Sequence, residues 1–274
     1  MEASHSFFRN KAVLVTGASS GIGEELAWQL AQGEAMVTLA ARRREMLEKL
    51  AARIVASGKR KPSIVECDVT RDGALERAVA ETVHEFGRLD IAIANAGFGV
   101  VGPLKQLSIP DYRRQFETNV FGVMRTIYAA LPEIEKTKGN IVIIGSVAGW
   151  VPLPGGSAYG MSKFALRSLA SSIAPELEPL GIKVTLISPG FVASNIGRVD
   201  NQGNLREKAP NPPPRGLVMR TDNAARQILH AVAQGKREAI ITGHGKLLVA
   251  LERFAPWALR ALTRAMAAQR PSNS

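Results

Sequence analysis

The sequence predicts one α/β domain built as a parallel sheet with helices on both faces. Short, continuous apolar runs recur along the chain, with helical stripes between them. Strands that are buried on both faces and joined by crossover helices read this way. The first run ends in the turn Thr16-Gly17-Ala18-Ser19-Ser20-Gly21-Ile22-Gly23, and a helical pattern with Ile22, Leu26 and Leu30 on one face follows at once. At 274 residues and 46% hydrophobic content, the chain can bury one large core, and it shows no internal repeat or interdomain linker.

In chain order the apolar runs are Ala12–Val15, Met36–Ala40, Ile64–Cys67, Ile91–Ala94, Ile141–Ile144, Val184–Ile187 and Ala239–Ile241. Between the second and third, Met46, Leu47, Leu50 and Ile54 form a helical stripe closed by Gly58. Between the third and fourth, Leu75, Val79, Val83 and Phe86 form another, closed by Gly87. The stretch from about Ser194 to Arg220, with its Pro212-Pro213-Pro214 run, is too long for a simple connection and reads as a functional or mobile segment. Beyond the last strand, Pro256 is expected to break or start a helix. Trp257, Ala261, Leu262, Ala265 and Met266 would then share one face, with Arg260 and Arg264 on another.

The single cysteine, Cys67, excludes an intrachain disulfide and a cysteine zinc cluster, and reads as a buried inert thiol. The segment Met1 to Asn10 is short and polar, unlike a signal peptide, and no apolar stretch is long enough to span a bilayer. A cytoplasmic, reducing compartment is expected. The formal net charge is +11. Residues 1–200 hold 23 basic and 20 acidic side chains, against 12 and 4 in 201–274, so the excess lies in the tail. No zinc-finger or RNP motif accompanies it, so no nucleic-acid partner is expected. A solubilising tail is the plainer reading.

The chemistry begins at the glycine turn. Gly17, Gly21 and Gly23 let the backbone approach a ligand, and the helix that follows aims free N–H groups and its positive end at an anion. The spacing Gly-x-x-x-Gly-x-Gly is not the common Gly-x-Gly-x-x-Gly fingerprint, so residues downstream carry the reading. The second strand runs into Ala41-Arg42-Arg43-Arg44. An acid there would bind a ribose 2′-hydroxyl, whereas arginine suits a 2′-phosphate; Arg42 at least is expected to contact phosphate. Asp68 follows the third strand, where a carboxylate can accept an amine hydrogen bond. Asn95-Ala96-Gly97 follows the fourth, with small residues where a ring can lie close. Asn119, inside an apolar helical run, needs hydrogen-bond partners. Ser146 ends the fifth strand. Tyr159 and Lys163 are four apart and share a helix face. An ammonium near a phenol lowers the phenol's pKa from about 10, which suits proton exchange with an alcohol or ketone.

Together Thr16-Gly17-Ala18-Ser19-Ser20-Gly21-Ile22-Gly23, Asn95-Ala96-Gly97, Asn119, Ser146, Tyr159-Gly160-Met161-Ser162-Lys163 and Pro189-Gly190 resemble the short-chain dehydrogenase/reductase family over about residues 10 to 245. The resemblance implies a single Rossmann-type doubly wound domain with a seven-stranded parallel sheet flanked by helices, in the order 3-2-1-4-5-6-7. It implies nicotinamide chemistry on a carbonyl or alcohol, with Tyr159 as general acid/base, Lys163 holding the nicotinamide ribose, Ser146 orienting the substrate carbonyl and Asn119 supporting a proton-relay water. Gly17, Ser19, Ser20, Gly21, Ile22 and Gly23 would cradle the pyrophosphate, and Arg42 and Arg43 would favour NADP over NAD. Asp68 and Val69 would meet adenine, and Asn95, Ala96 and Gly97 the adenosine ribose side. Pro189, Gly190, Val192 and Ser194 would lie on the nicotinamide side, with Ser194 where the family often has threonine. The segment about 194–220 would be a substrate lid.

Other candidates have plainer readings. His84 and His230 are expected at satisfied or surface helical positions, His244 in an exposed loop, Trp28 and Phe116 in packing, and Lys59-Arg60-Lys61 in a solvated turn. No metal-ligand spacing is present, so no catalytic metal is expected. A non-enzymatic nucleotide-binding or scaffold protein on the same fold is the competing function class; the presence of Asn119, Ser146, Tyr159 and Lys163 together argues against it. The helical stretches 108–131 and 157–180 carry surplus apolar positions, and the resemblance implies a homodimer or homotetramer through them. The basic amphipathic tail, about 246–270, fits packing on its own domain or a partner subunit, the mouth of a hydrophobic-substrate pocket, or peripheral contact with a membrane, the last implying a lipid- or steroid-like substrate.

Overall fold

The computed structural model describes residues 6–193 and 215–268. Seven strands, β1 (Ala12–Thr16), β2 (Met36–Ala41), β3 (Ser63–Glu66), β4 (Ile91–Ala94), β5 (Asn140–Ile144), β6 (Lys183–Ser188) and β7 (Glu238–Ile240), pair in parallel in the order 3-2-1-4-5-6-7. Each matches a predicted apolar run to within a residue or two. The displaced boundaries fall at polar residues such as Asn140, Lys183 and Glu238, where backbone pairing continues under a side chain that breaks the apolar pattern.

The helices are α1 (Gly21–Gln32), α2 (Arg44–Ala56), α3 (Ala74–Phe86), α4 (Ile109–Phe116), α5 (Gly122–Thr137), α6 (Ser157–Leu177), α7 (Thr221–Ala233), α8 (Gly243–Phe254) and α9 (Pro256–Ala268). Strand side chains alternate between faces, and this sorts the core into two layers. Val13 and Val15 pack with Leu26 and Leu30 of α1, Leu47 and Ile54 of α2 and Ile228 of α7. On the opposite face Leu14 packs with Leu75 and Val79 of α3, Ile127 and Ile134 of α5 and Leu166 of α6. Each fully buried leucine or isoleucine contributes about 1.5–3 kcal/mol. Phe8, from the segment read as merely polar, is buried in the first layer.

A third, smaller cluster joins Val147 and Val151 to Val249 of α8 and Leu259 of α9. The tail helices therefore pack on the domain, one of the arrangements the sequence leaves open. Trp257 and Ala261 are exposed together with Arg260 and Arg264 rather than opposite them, because Leu259 occupies the buried face; the side chains of Leu262, Ala265 and Met266 lie outside the described residues. Among the described residues no helix is long and apolar enough to cross a membrane. Strand order reverses between β1 and β4, and ligands of open α/β sheets bind beyond the strand C-termini at such a point.

Candidate active site

The turn after β1 is held against the end of β4 by hydrogen bonds between the Thr16 and Asn95 side chains and the backbone. Thr16 Oγ1 donates to Ile93 O at 3.2 Å and accepts from Asn95 N at 3.0 Å and Ala96 N at 3.1 Å. Asn95 Nδ2 donates to Thr16 O at 2.9 Å and Gly17 O at 3.3 Å. Gly17 adopts φ +68°, and a Cβ there would lie 2.8 Å from Ala96 Cα. At Gly23 a Cβ would collide with Asn95 Nδ2 and Gly17 O. No side chain caps α1 at Ser20, so its first-turn N–H groups are available to an anion. These residues fit a pyrophosphate: Gly21 and Ile22 open α1, and their N–H groups would hold it.

Of the arginines after β2, Arg43 turns toward this cradle and Arg42 toward the end of β3. Arg43 Nη2 donates to Ser20 Oγ at 2.8 Å and Ser19 Oγ at 2.9 Å. Arg42 lines an open pocket with Glu66, Asp68, Arg71, Ala74 and Arg77. Asp68 Oδ1 accepts from Thr70 N at 3.0 Å and Thr70 Oγ1 at 2.8 Å, which fixes the carboxylate at the rim. Val69 is buried beneath, where a Cβ on Gly122 would meet its Cγ2 at 2.7 Å.

Asn119 lies within a π-helical turn, Glu117–Phe121, that interrupts the path from α4 to α5. Such turns recur at functional sites. Its amide is fully buried and partnered: Nδ2 donates to Phe98 O at 2.9 Å and Ser162 Oγ at 3.3 Å, and Oδ1 accepts from Phe98 N at 3.1 Å. Gln115, one turn earlier, clamps the same loop through Phe98 O at 2.9 Å and Val100 N. The sequence patterns above do not single out Gln115. The available signal is a second amide four residues before Asn119 in the same run. Gly97 lies against Asn119, and a Cβ on it would sit 3.1 Å from Asn119 Oδ1.

Ser146, just past β5, accepts from Ala148 N at 3.1 Å, and its hydroxyl lies near enough to the Tyr159 hydroxyl to bear on its ionisation. Lys163, buried on α6 one turn after Tyr159, donates from Nζ to Ile144 O at 2.9 Å and lies 5.7 Å from the Tyr159 ring centroid. The lowered phenol pKa expected from the spacing is not the net result. Burial raises the Tyr159 pKa, and the neighbouring Ser146 side chain only partly opposes this. Burial also pushes the Lys163 pKa down, from 10.5 to about 8. The unfolded chain therefore binds more protons than the folded one between about pH 8 and 10.5, and stability rises with pH across that window. Replacing Lys163 with methionine removes this gain. Denaturant unfolding should show Lys163→Met losing ground to the wild type as pH rises through the window; a constant difference contradicts the shift.

Beyond β6, Pro189 O accepts from Val147 N at 2.9 Å, and Val192 bridges to Met219. His244 is not in an exposed loop as expected. It is half-buried in the first turn of α8 and accepts from Phe191 N, because Thr242 starts the helix immediately before it. Ser194 and positions 194–214 of the expected lid lie outside the described residues. Cys67 is buried, its thiol pushed up to about 11 chiefly by burial. Glu81, His84 and Glu85 bring ligand atoms within 4.8 Å of one another on the exposed face of α3, a grouping that the sequence patterns do not single out. Lone exposed clusters of this kind are common, and it lies away from the strand C-termini.

The profile of the family described as "short chain dehydrogenase" matches residues 11–204. The chain is 34% identical over 236 residues to "11-beta-hydroxysteroid dehydrogenase A" of Sesamum indicum, covering 83% of this chain and 67% of that protein. It is 35% identical over 242 residues to "Dehydrogenase/reductase SDR family member 7" of Homo sapiens, covering 86% and 71%. Among solved structures, a short-chain dehydrogenase/reductase of unknown function from Caenorhabditis elegans, with cofactor, superposes with a TM-score of 0.78 at 27% identity, covering 88% of this chain and 97% of that one. An alcohol dehydrogenase from the archaeon Thermococcus sibiricus, complexed with 5-hydroxy-NADP, gives 0.71 at 26% identity, covering 85% and 96%. With the sheet order, the glycine cradle and the serine–tyrosine–lysine grouping, these matches establish that the chain belongs to the short-chain dehydrogenase/reductase family of oxidoreductases.

Proposed function

We propose that the chain is an NADP(H)-dependent oxidoreductase that interconverts a ketone and a secondary alcohol, with Tyr159 as general acid/base. The observation that carries this reading is the grouping of Ser146, Tyr159 and Lys163 at the C-terminal end of β5, in the same parallel sheet whose β1 leads into the uncapped start of α1. A bound nicotinamide supplies or accepts the hydride. Ser146 orients the substrate oxygen by hydrogen bonding, and Tyr159 gives that oxygen a proton or takes one from it. Lys163 holds the nicotinamide ribose and, when charged, favours the phenolate. Asn119 holds the Phe98 loop and supports a relay water. NADP is favoured by Ala41 where an acid would stand, by Arg43 on the serines of the turn and by Arg42 in the pocket beside Asp68; the Thermococcus structure carries an NADP derivative. The Sesamum relative's name supports a steroid-like or otherwise hydrophobic substrate. The test is a panel of hydrophobic ketones and alcohols with both cofactors, followed by nicotinamide absorbance.

Exposed Ile109, Phe121, Tyr128, Met161 and Phe164 on α4 to α6 support a homo-oligomer through these helices. Light scattering at micromolar concentration should give a dimer or tetramer; a monomer counts against it. Peripheral membrane contact of the tail is supported by Leu247, Phe254 and Trp257, which are 62%, 79% and 75% exposed, among exposed Lys246, Arg253, Arg260 and Arg264. The chain should sediment with anionic but not neutral vesicles at low salt. If it stays in the supernatant with both, the tail is only a packing element.

A further inference from the structure

The segment Pro189–Val192 leaves β6 and is tied down by a residue from the far end of the chain. Phe191 N donates to His244 Nε2 at 2.9 Å, and the two rings stack with centroids 5.3 Å apart and planes 20° apart. Thr242 Oγ1 lies 3.2 Å from the same ring nitrogen and accepts from Gly245 N at 3.2 Å as the N-cap of α8. A Cβ on Gly190 would collide with Thr242 Oγ1 and His244 Nε2, so the segment lies flat on this pair. A ring nitrogen that accepts a backbone N–H carries no proton, which places the proton of the neutral ring on Nδ1. Burial pulls the His244 pKa below its ordinary value, and the first turn of a helix disfavours a cation. Both keep the accepting form.

We propose that His244 is a positioning residue for the nicotinamide end of the cofactor: its Nε2 holds Pro189–Val192 in the binding geometry before the cofactor arrives. This rests on the reading of the chain as an NADP(H)-dependent oxidoreductase, in which Pro189, Gly190 and Val192 meet the nicotinamide. Without the acceptor, Phe191 N–H must find another partner and the segment samples other conformations, so ordering it is charged against cofactor binding. The loss falls on the nicotinamide half and spares the adenosine half, which binds at β2 and the glycine turn.

The test compares wild type with His244→Phe, His244→Asn and His244→Gln by dissociation constants for NADPH and for 2′,5′-ADP, which carries the adenosine half alone. Phenylalanine keeps a stacking ring without an acceptor. Asparagine is too short to reach Phe191 N. Glutamine offers Oε1 near the place of Nε2. The Phe and Asn variants should bind NADPH about tenfold more weakly, the worth of one such hydrogen bond, and bind 2′,5′-ADP as the wild type does; Gln should restore NADPH affinity. If His244→Phe does not fold, His244→Asn carries the comparison. NADPH affinity unchanged in the Phe and Asn variants, a Gln variant as impaired as they are, or 2′,5′-ADP affinity lost in parallel overturns the proposal. Wild-type protein that binds neither NADPH nor 2′,5′-ADP fails at the reading beneath it instead.

Discussion

Tyr159→Phe should lower turnover by about 10²–10⁴-fold, the usual cost of removing a positioned acid/base, while cofactor affinity stays unchanged. The phenyl ring keeps its place on α6 and its approach to Lys163, and only the hydroxyl near Ser146 is lost. Titration of bound NADPH by fluorescence separates the two effects, and wild-type turnover in the variant would remove Tyr159 from the mechanism. The pH dependence follows from the raised phenol pKa. In the free enzyme Tyr159 stays protonated through neutral pH, the form that gives a proton to a carbonyl oxygen. Ketone reduction, measured as kcat/KM, should therefore be flat through neutrality and fall on the alkaline side. Alcohol oxidation needs the phenolate and should rise over the same range.

The double substitution Arg42→Ala and Arg43→Ala should weaken NADPH binding by at least about 10–100-fold, the worth of a charge-assisted hydrogen bond, and leave NADH binding nearly as it was. The two side chains sit differently. Arg43 already bonds Ser19 and Ser20, so part of its loss is loss of order in the turn, and it should weaken both cofactors slightly. Arg42 lines the pocket beside Asp68, so Arg42→Ala alone should be the more selective change. Equal loss for NADPH and NADH in the double variant would move the arginines from 2′-phosphate recognition to general support of the turn.

The fold was legible because its strands are buried on both faces. Val13-Leu14-Val15 and Ile141–Ile144 carry apolar side chains toward both helical layers, and such runs stand out without any periodicity. The local geometry of the candidate site was legible where residues are concentrated in short motifs, as in the turn at Gly17–Gly23 and the shared helix face of Tyr159 and Lys163. It was not legible where a residue acts over a long chain separation. The contact of His244 with Phe191 spans 53 residues, and no local pattern announces it. Gln115 resembles any helical glutamine until the fold brings the Phe98 loop over it. The π-helical turn at Asn119 is a backbone insertion with no side-chain signature. The phenol pKa departs from its expected direction because spacing gives the distance to a charge but not the burial that opposes ionisation.

One measurement bears most directly on the central claim. Wild-type protein is mixed with NADPH or NADH and a panel of hydrophobic ketones, and nicotinamide absorbance is followed. The account predicts ketone-dependent oxidation of NADPH, slower oxidation of NADH at equal concentration, and loss of both signals in Tyr159→Phe. Folded wild-type protein that oxidises neither cofactor with any ketone, and reduces neither oxidised form with the matching alcohols, would contradict it.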